Sequence, residues 1–125
     1  MSTSTKETTS KKQAFADIIR PVENCNGEGV HGCTTCKKAI TVQLRIVDEI
    51  VVEAGGKAEG CYYSRQCLAA LITMIKGKSI YDLYPLTNED LRPNLQTVKD
   101  DYDCDVFTIG ALKIALKDWE KRMAA

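Results

Sequence analysis

Between Ala39 and Val47 the apolar residues Ile40, Val42, Leu44 and Ile46 alternate with Thr41, Gln43 and Arg45. A period of two marks a strand with one face in the core and one face wet. Asp48 and Glu49 follow as a turn signal, Ile50 to Ala54 reads as a second strand, and Gly55 and Gly56 read as a bend into a short third. Connections this short force antiparallel pairing. After Cys61 the period changes to that of a helix. Ser64 is a candidate N-cap, Leu68, Leu71, Ile72 and Ile75 share one face, and Gly77 is placed to end the helix. Ser79 with Asp82 and Thr87 with Asp90 resemble capping boxes, opening two short helical segments around Pro85. A last helix runs from about Val106 to Met123, with Leu112, Leu116 and Trp119 as its apolar stripe.

The chain has 125 residues, enough for one domain with a core that needs no staples. Residues 1–10 hold no hydrophobe after Met1 and are expected to be a disordered tail, leaving 11–125 as a single domain. From Lys11 to Arg20 the residues Ala14, Phe15, Ile18 and Ile19 recur at helical spacing, and Pro21 disfavours a helical Arg20. Residues 24–38 mix Gly27, Gly29 and Gly32 with Cys25, Cys33 and Cys36, the composition of a loop or irregular hairpin. Lysine plus arginine equals aspartate plus glutamate at 17 each, so no basic field draws the protein onto nucleic acid or anionic lipid. No apolar run approaches the roughly 18 residues of a membrane span, and the N-terminus is polar where a signal peptide would be apolar. A cytoplasmic protein is expected.

Six cysteines are too few for a disulfide scaffold, and the cytosol keeps thiols reduced, so metal or sulfur chemistry is the leading use. Burial as small hydrophobes is the competing use, above all for Cys67 and Cys25. Cys61 and Cys104 each stand just before a helix, whose N-terminus favours thiolate by about 0.3–1 kcal/mol. Cys36 precedes Lys37 and Lys38, whose charges act the same way. Thiolates are the form that iron and zinc bind.

Cys36 begins the run CKKAITVQLRI, Cys61 lies in EGCYYS, IKGKS closes the helix that follows, and Cys104 opens CDVFTIGALKIALKDW. In this order and at these separations the segments resemble the IscU/NifU N-terminal scaffold family over about residues 33–122. The resemblance implies an α+β fold: a small antiparallel three-stranded sheet packed against helices, with a long C-terminal helix and cysteines from three loops gathered at one end. It implies a platform and not an enzyme. A cysteine desulfurase delivers sulfur, an iron–sulfur cluster, 2Fe-2S by preference, is built on Cys36, Cys61 and Cys104, and apo iron–sulfur proteins receive it. The scaffold would be a monomer or a cluster-bridged dimer, without nucleic-acid or membrane partners.

The accessories differ from the family's. Its first motif is Cys-Gly-Asp, where Lys37 and Lys38 stand here, and its third cysteine follows a histidine, where Asp103 stands. Its Leu-Pro-Pro-Val-Lys chaperone handle corresponds to Thr97, Val98, Lys99, Asp100 and Asp101, and its N-terminal tyrosine-and-proline signature is reduced to Pro21. A protonated lysine cannot ligate, so slower cluster exchange is expected. The fourth coordination position is open among Cys33, Asp103 and an outside thiol. Cys33 is favoured, because CTTC is a metal-ligand spacing and soft thiolates suit iron–sulfur clusters better than carboxylates do; a redox pair or a spare loop thiol is the competing use of Cys33. A zinc-containing sulfur-transfer protein, as in the SufU branch, uses the same cysteines with zinc, but that branch carries an added segment between the second and third that is missing here. A non-catalytic interaction protein on the same fold is the other alternative, argued for by Lys38 and Asp103. Gly77-Lys78-Ser79 lacks the rest of a phosphate loop. His31, the single histidine, is expected to be solvated, as is the acidic group Asp100, Asp101, Asp103 and Asp105.

Overall fold

The alternating stretch is the central strand of a three-stranded antiparallel sheet in the order β1-β2-β3. These strands are β1 (Gly27–His31), β2 (Ile40–Val47) and β3 (Ile50–Ala58). The computed structural model describes residues 18–32, 39–58, 62–96, 98 and 103–124. The expected tail, and the expected helix up to residue 17, lie outside them. Among the described residues four helices follow the sheet: α1 (Tyr62–Ile75), α2 (Ile80–Leu83), α3 (Asn88–Leu91) and α4 (Cys104–Ala124), with a 3₁₀ turn at Arg92–Asn94. Ile40, Val42, Leu44 and Ile46 of β2 are buried, and Leu68, Leu71, Ile72 and Ile75 of α1 and Leu112 and Leu116 of α4 join them in the core.

Asp48 and Glu49 make the hairpin turn with φ of 53° and 66°, the left-handed pair whose twist suits a two-residue connection. Gly77 ends α1 at φ 81°, and its N–H bonds to the Val51 carbonyl at 2.8 Å. The Val51 N–H in turn donates to Lys78 O at 2.9 Å, so the GKS stretch closes the outer edge of β3. Ser79 caps α2 by accepting from Tyr81 N, and the Asp90 carboxylate accepts from Thr87 N at 2.9 Å.

The glycine-rich stretches fold otherwise than the sequence suggested. Gly55 and Gly56 do not bend the chain into a third strand; β3 runs through them. A side-chain carbon on Gly55 would overlap the Arg20 carbonyl, whose oxygen accepts from Gly56 N at 2.9 Å. The third strand is instead Gly27–His31, inside the segment expected to be irregular. Gly27 and Gly29 are bare so that β1 can lie against the backbone of α4. A Cβ on Gly27 would stand 2.7 Å from Ala115 O, and one on Gly29 would stand 2.5 Å from Ala115 N and overlap Ala111 O. Small residues on both sides permit the approach. The N–H of Glu28 donates to Asp118 Oδ2 at 2.9 Å. That bond, aided by Arg122, holds the Asp118 carboxyl below the usual aspartate range against the opposing effect of desolvation.

Candidate functional site

The contacts of β1 along α4 set the direction of the whole molecule. Gly27 faces Ala115 and Trp119, Gly29 faces Ala111, and the ring of His31 lies over Gly110 and edge-on to Phe107, with centroids 5.5 Å apart. Moving along β1 is therefore moving toward the N-terminus of α4. His31 pairs with Ile40, and Ile40 pairs with Ala58. One end of the sheet thus collects the close of β1, the opening of β2, the close of β3 and the first turns of α4. Gly32 and Ala39 bracket the segment that carries Cys33 and Cys36, and Ala58 and Tyr62 bracket the one that carries Cys61. These three cysteines, with Lys37 and Lys38, lie outside the described residues. All of their described flanks are at this end.

Cys104 is the first residue of α4, two positions earlier than the helix was expected to begin. The Asp103 carbonyl accepts from Phe107 N at 2.8 Å, which makes Asp103 the residue that leads into the helix, its side chain exposed. The Cys104 carbonyl accepts from Thr108 Oγ1 at 2.6 Å. The cysteine itself is buried, with 1% of its surface exposed, and its Sγ lies 3.1 Å from Ser64 Oγ, a residue with none. A thiol at the amino end of a 21-residue helix feels the helix dipole, which favours the thiolate, while burial opposes it. The donor chemistry suits a soft metal.

Ser64 does not cap its helix. α1 begins at Tyr62, so the serine falls in the first turn and faces inward. Its short distance from Cys61 in sequence was visible, but nothing local reveals that its partner is 40 residues away. Asp105 was likewise expected to be solvated with its acidic neighbours and is fully buried. Its Oδ2 is 2.9 Å from Arg92 Nε and 3.4 Å from Asn88 Nδ2, while Oδ1 has no hydrogen-bond partner among the described residues. This pair ties α4 to α3 and the 3₁₀ turn beside Cys104.

The remaining candidates separate cleanly. Cys67 is fully buried among the core residues of α1, as the small-hydrophobe reading expects, and Cys25 is half-buried. His31 is exposed, as expected, but it ends a strand and is not in a loop. Among the described residues no three of histidine, cysteine, aspartate or glutamate gather as a metal site; of the five expected ligands only Cys104 and Asp103 are described. A cavity of about 480 Å³ opens elsewhere, in the half of the sheet near the hairpin turn, lined by Arg20, Arg45, Glu53 and Lys76 among others. No described helix is long and apolar enough to cross a membrane.

The family model of the NifU-like N terminal domain matches residues 13–125. An iron sulfur cluster assembly protein 1 from Trachipleistophora hominis is 27% identical over 96 residues, covering 77% of this chain and 70% of that protein. The iron-sulfur cluster assembly scaffold protein IscU of Escherichia coli K12 is 25% identical over 100 residues, 79% of this chain and 78% of its own. Among solved structures, a NifU-like protein (N-terminal) from Brucella abortus superposes with a TM-score of 0.63 at 14% identity, over 83% of this chain and 85% of that one. A putative scaffold protein for the SUF system from Fervidobacterium islandicum superposes at 0.59 and 16% identity, over 82% and 93%.

Proposed function

Because the chain belongs to the NifU-like N-terminal domain family, we propose that it is an iron–sulfur cluster assembly scaffold whose ligands include Cys36, Cys61 and Cys104. The observation that supports this most is the position of Cys104. Its thiol opens the longest helix at the end of the sheet from which the segments holding Cys36 and Cys61 depart. The names of the curated relatives agree with it. In this reading sulfur comes from a cysteine desulfurase, the cargo is a 2Fe-2S cluster, and apo iron–sulfur proteins receive it. The chain works in the cytoplasm as a platform and not as an enzyme, alone or as a cluster-bridged dimer. Anaerobic reconstitution with iron and sulfide should give a thiolate-to-iron charge-transfer band. Zinc in the purified protein, with no such band under any condition, would favour the zinc-containing sulfur-transfer alternative.

Two residues set this chain's version of the site apart. Cys33 supplies the fourth thiolate where the family's histidine is replaced by Asp103, whose exposed carboxylate is a harder donor. Cys33→Ala should shorten the lifetime of the reconstituted cluster and shift its spectrum; an unchanged lifetime and spectrum would return the position to Asp103 or an external ligand. Lys38 slows release, because its ammonium favours the anionic cluster and has no lone pair with which to displace a thiolate. The effect of one exposed charge is at most about 1 kcal/mol, so Lys38→Asp should speed transfer to an apo-ferredoxin by up to about fivefold. Equal or slower transfer in the variant would place the control of lability elsewhere.

A further inference from the structure

We propose that Ser64 is a positioning residue of the cluster site, donating its hydroxyl hydrogen bond to the sulfur of Cys104 while that sulfur is a ligand. The inference rests on the reading of Cys104 as a ligand and adds a residue outside the cysteine set. Ser64 Oγ and Cys104 Sγ are 3.1 Å apart, within hydrogen-bond distance for sulfur, and either atom can donate when the cysteine is a thiol. Loss of the thiol proton on metal binding leaves one polarity, from Ser64 O–H to sulfur. Neither residue is open to solvent, so water does not compete for the contact. The backbone fixes both partners independently. Ser64 sits in the first turn of α1, Cys104 is the first residue of α4, and the Cys104 carbonyl is held by Thr108.

The chemical consequence follows from what a hydrogen bond does to a metal-bound thiolate. It withdraws electron density from sulfur, which weakens donation to iron, raises the reduction potential and moves the sulfur-to-iron charge-transfer band to higher energy. Ser64 is therefore expected to make Cys104 a less electron-rich ligand and a geometrically fixed one. The side chain also has a size that fills its buried position, and this second role must be separated from the first.

The test compares wild type, Ser64→Ala and Ser64→Thr after anaerobic reconstitution, measuring iron and sulfide content, the absorption spectrum and the midpoint potential. Ser64→Ala should still load, with its potential shifted downward and its band moved to longer wavelength, and Ser64→Thr, which keeps the hydroxyl, should return both toward wild type. Should Ser64→Ala fail to fold, Ser64→Gly removes the hydroxyl without adding a new ligand, and a shift of the same sign is expected. A loaded Ser64→Ala or Ser64→Gly protein with unchanged potential and band would overturn the proposal and leave Ser64 a packing residue. Wild type that takes up no iron and sulfide would instead overturn the ligand reading of Cys104, and this inference with it.

Discussion

Gly29→Ala is expected to lower the stability of the chain by about 3 kcal/mol, the upper part of the range for overpacking a filled interior, and Gly29→Val to prevent folding. The added carbon would overlap the Ala111 carbonyl and stand 2.5 Å from Ala115 N and 2.9 Å from Ile114 Cβ. Two of these are backbone atoms of α4, which cannot swing aside as a side chain can. The strand would have to lift from the helix, and β1 would lose the contact that aims its end at Cys104. Gly77→Ala provides the control. A Cβ there meets nothing within 4 Å, so the cost is only that of a left-handed residue, about 1–2 kcal/mol. Urea denaturation of both variants checks the pair. A Gly29→Ala protein as stable as wild type would mean that β1 does not lie on α4 as described.

Arg92→Met should cost about 3 kcal/mol, near the lower end of the range for breaking a buried ion pair. The Asp105 side chain is 1% exposed while that of Arg92 is 36%, so the loss falls almost entirely on a carboxylate that cannot reach water. One of its oxygens already lacks a partner among the described residues, and removal of Arg92 leaves Asn88 at 3.4 Å as the remaining contact to the other. Adding Asp105→Leu to Arg92→Met is expected to recover most of the stability, since an apolar pair needs no compensation. Thermal or chemical denaturation of the two single variants and the double variant measures the coupling. A single Arg92→Met with wild-type stability would show that Asp105 is not held by this pair.

The parts of the fold that were legible are those whose signal is periodic. The alternation in β2, the stripe of α1 and the Gly77 stop all lie where the sequence placed them, because each depends on neighbours within a few residues. Glycines were the chief source of error. Gly27 and Gly29 carry the composition of a loop, and their close approach to the backbone of Ala111 and Ala115 on the facing helix is what their bareness serves. Nothing local distinguishes a glycine that turns the chain from one that admits another backbone. The same limit hid the buried sides of Ser64 and Asp105, whose partners Cys104 and Arg92 lie far along the chain or in another element. Cys104 could be placed near a helix start because the apolar stripe that follows it is a local signal. Its burial could not, since that depends on how α1 and α4 meet.

The central claim is that Cys104 holds iron–sulfur cargo together with Cys36 and Cys61. The most direct measurement is the iron and acid-labile sulfide content of wild type beside Cys36→Ser, Cys61→Ser and Cys104→Ser after one anaerobic reconstitution protocol, with each apoprotein first shown to be folded. The account predicts iron and sulfide in equal amounts in wild type, and loss of both, with the charge-transfer band, in each of the three variants. A folded Cys104→Ser protein that takes up iron and sulfide as wild type does, with the same spectrum, would contradict it.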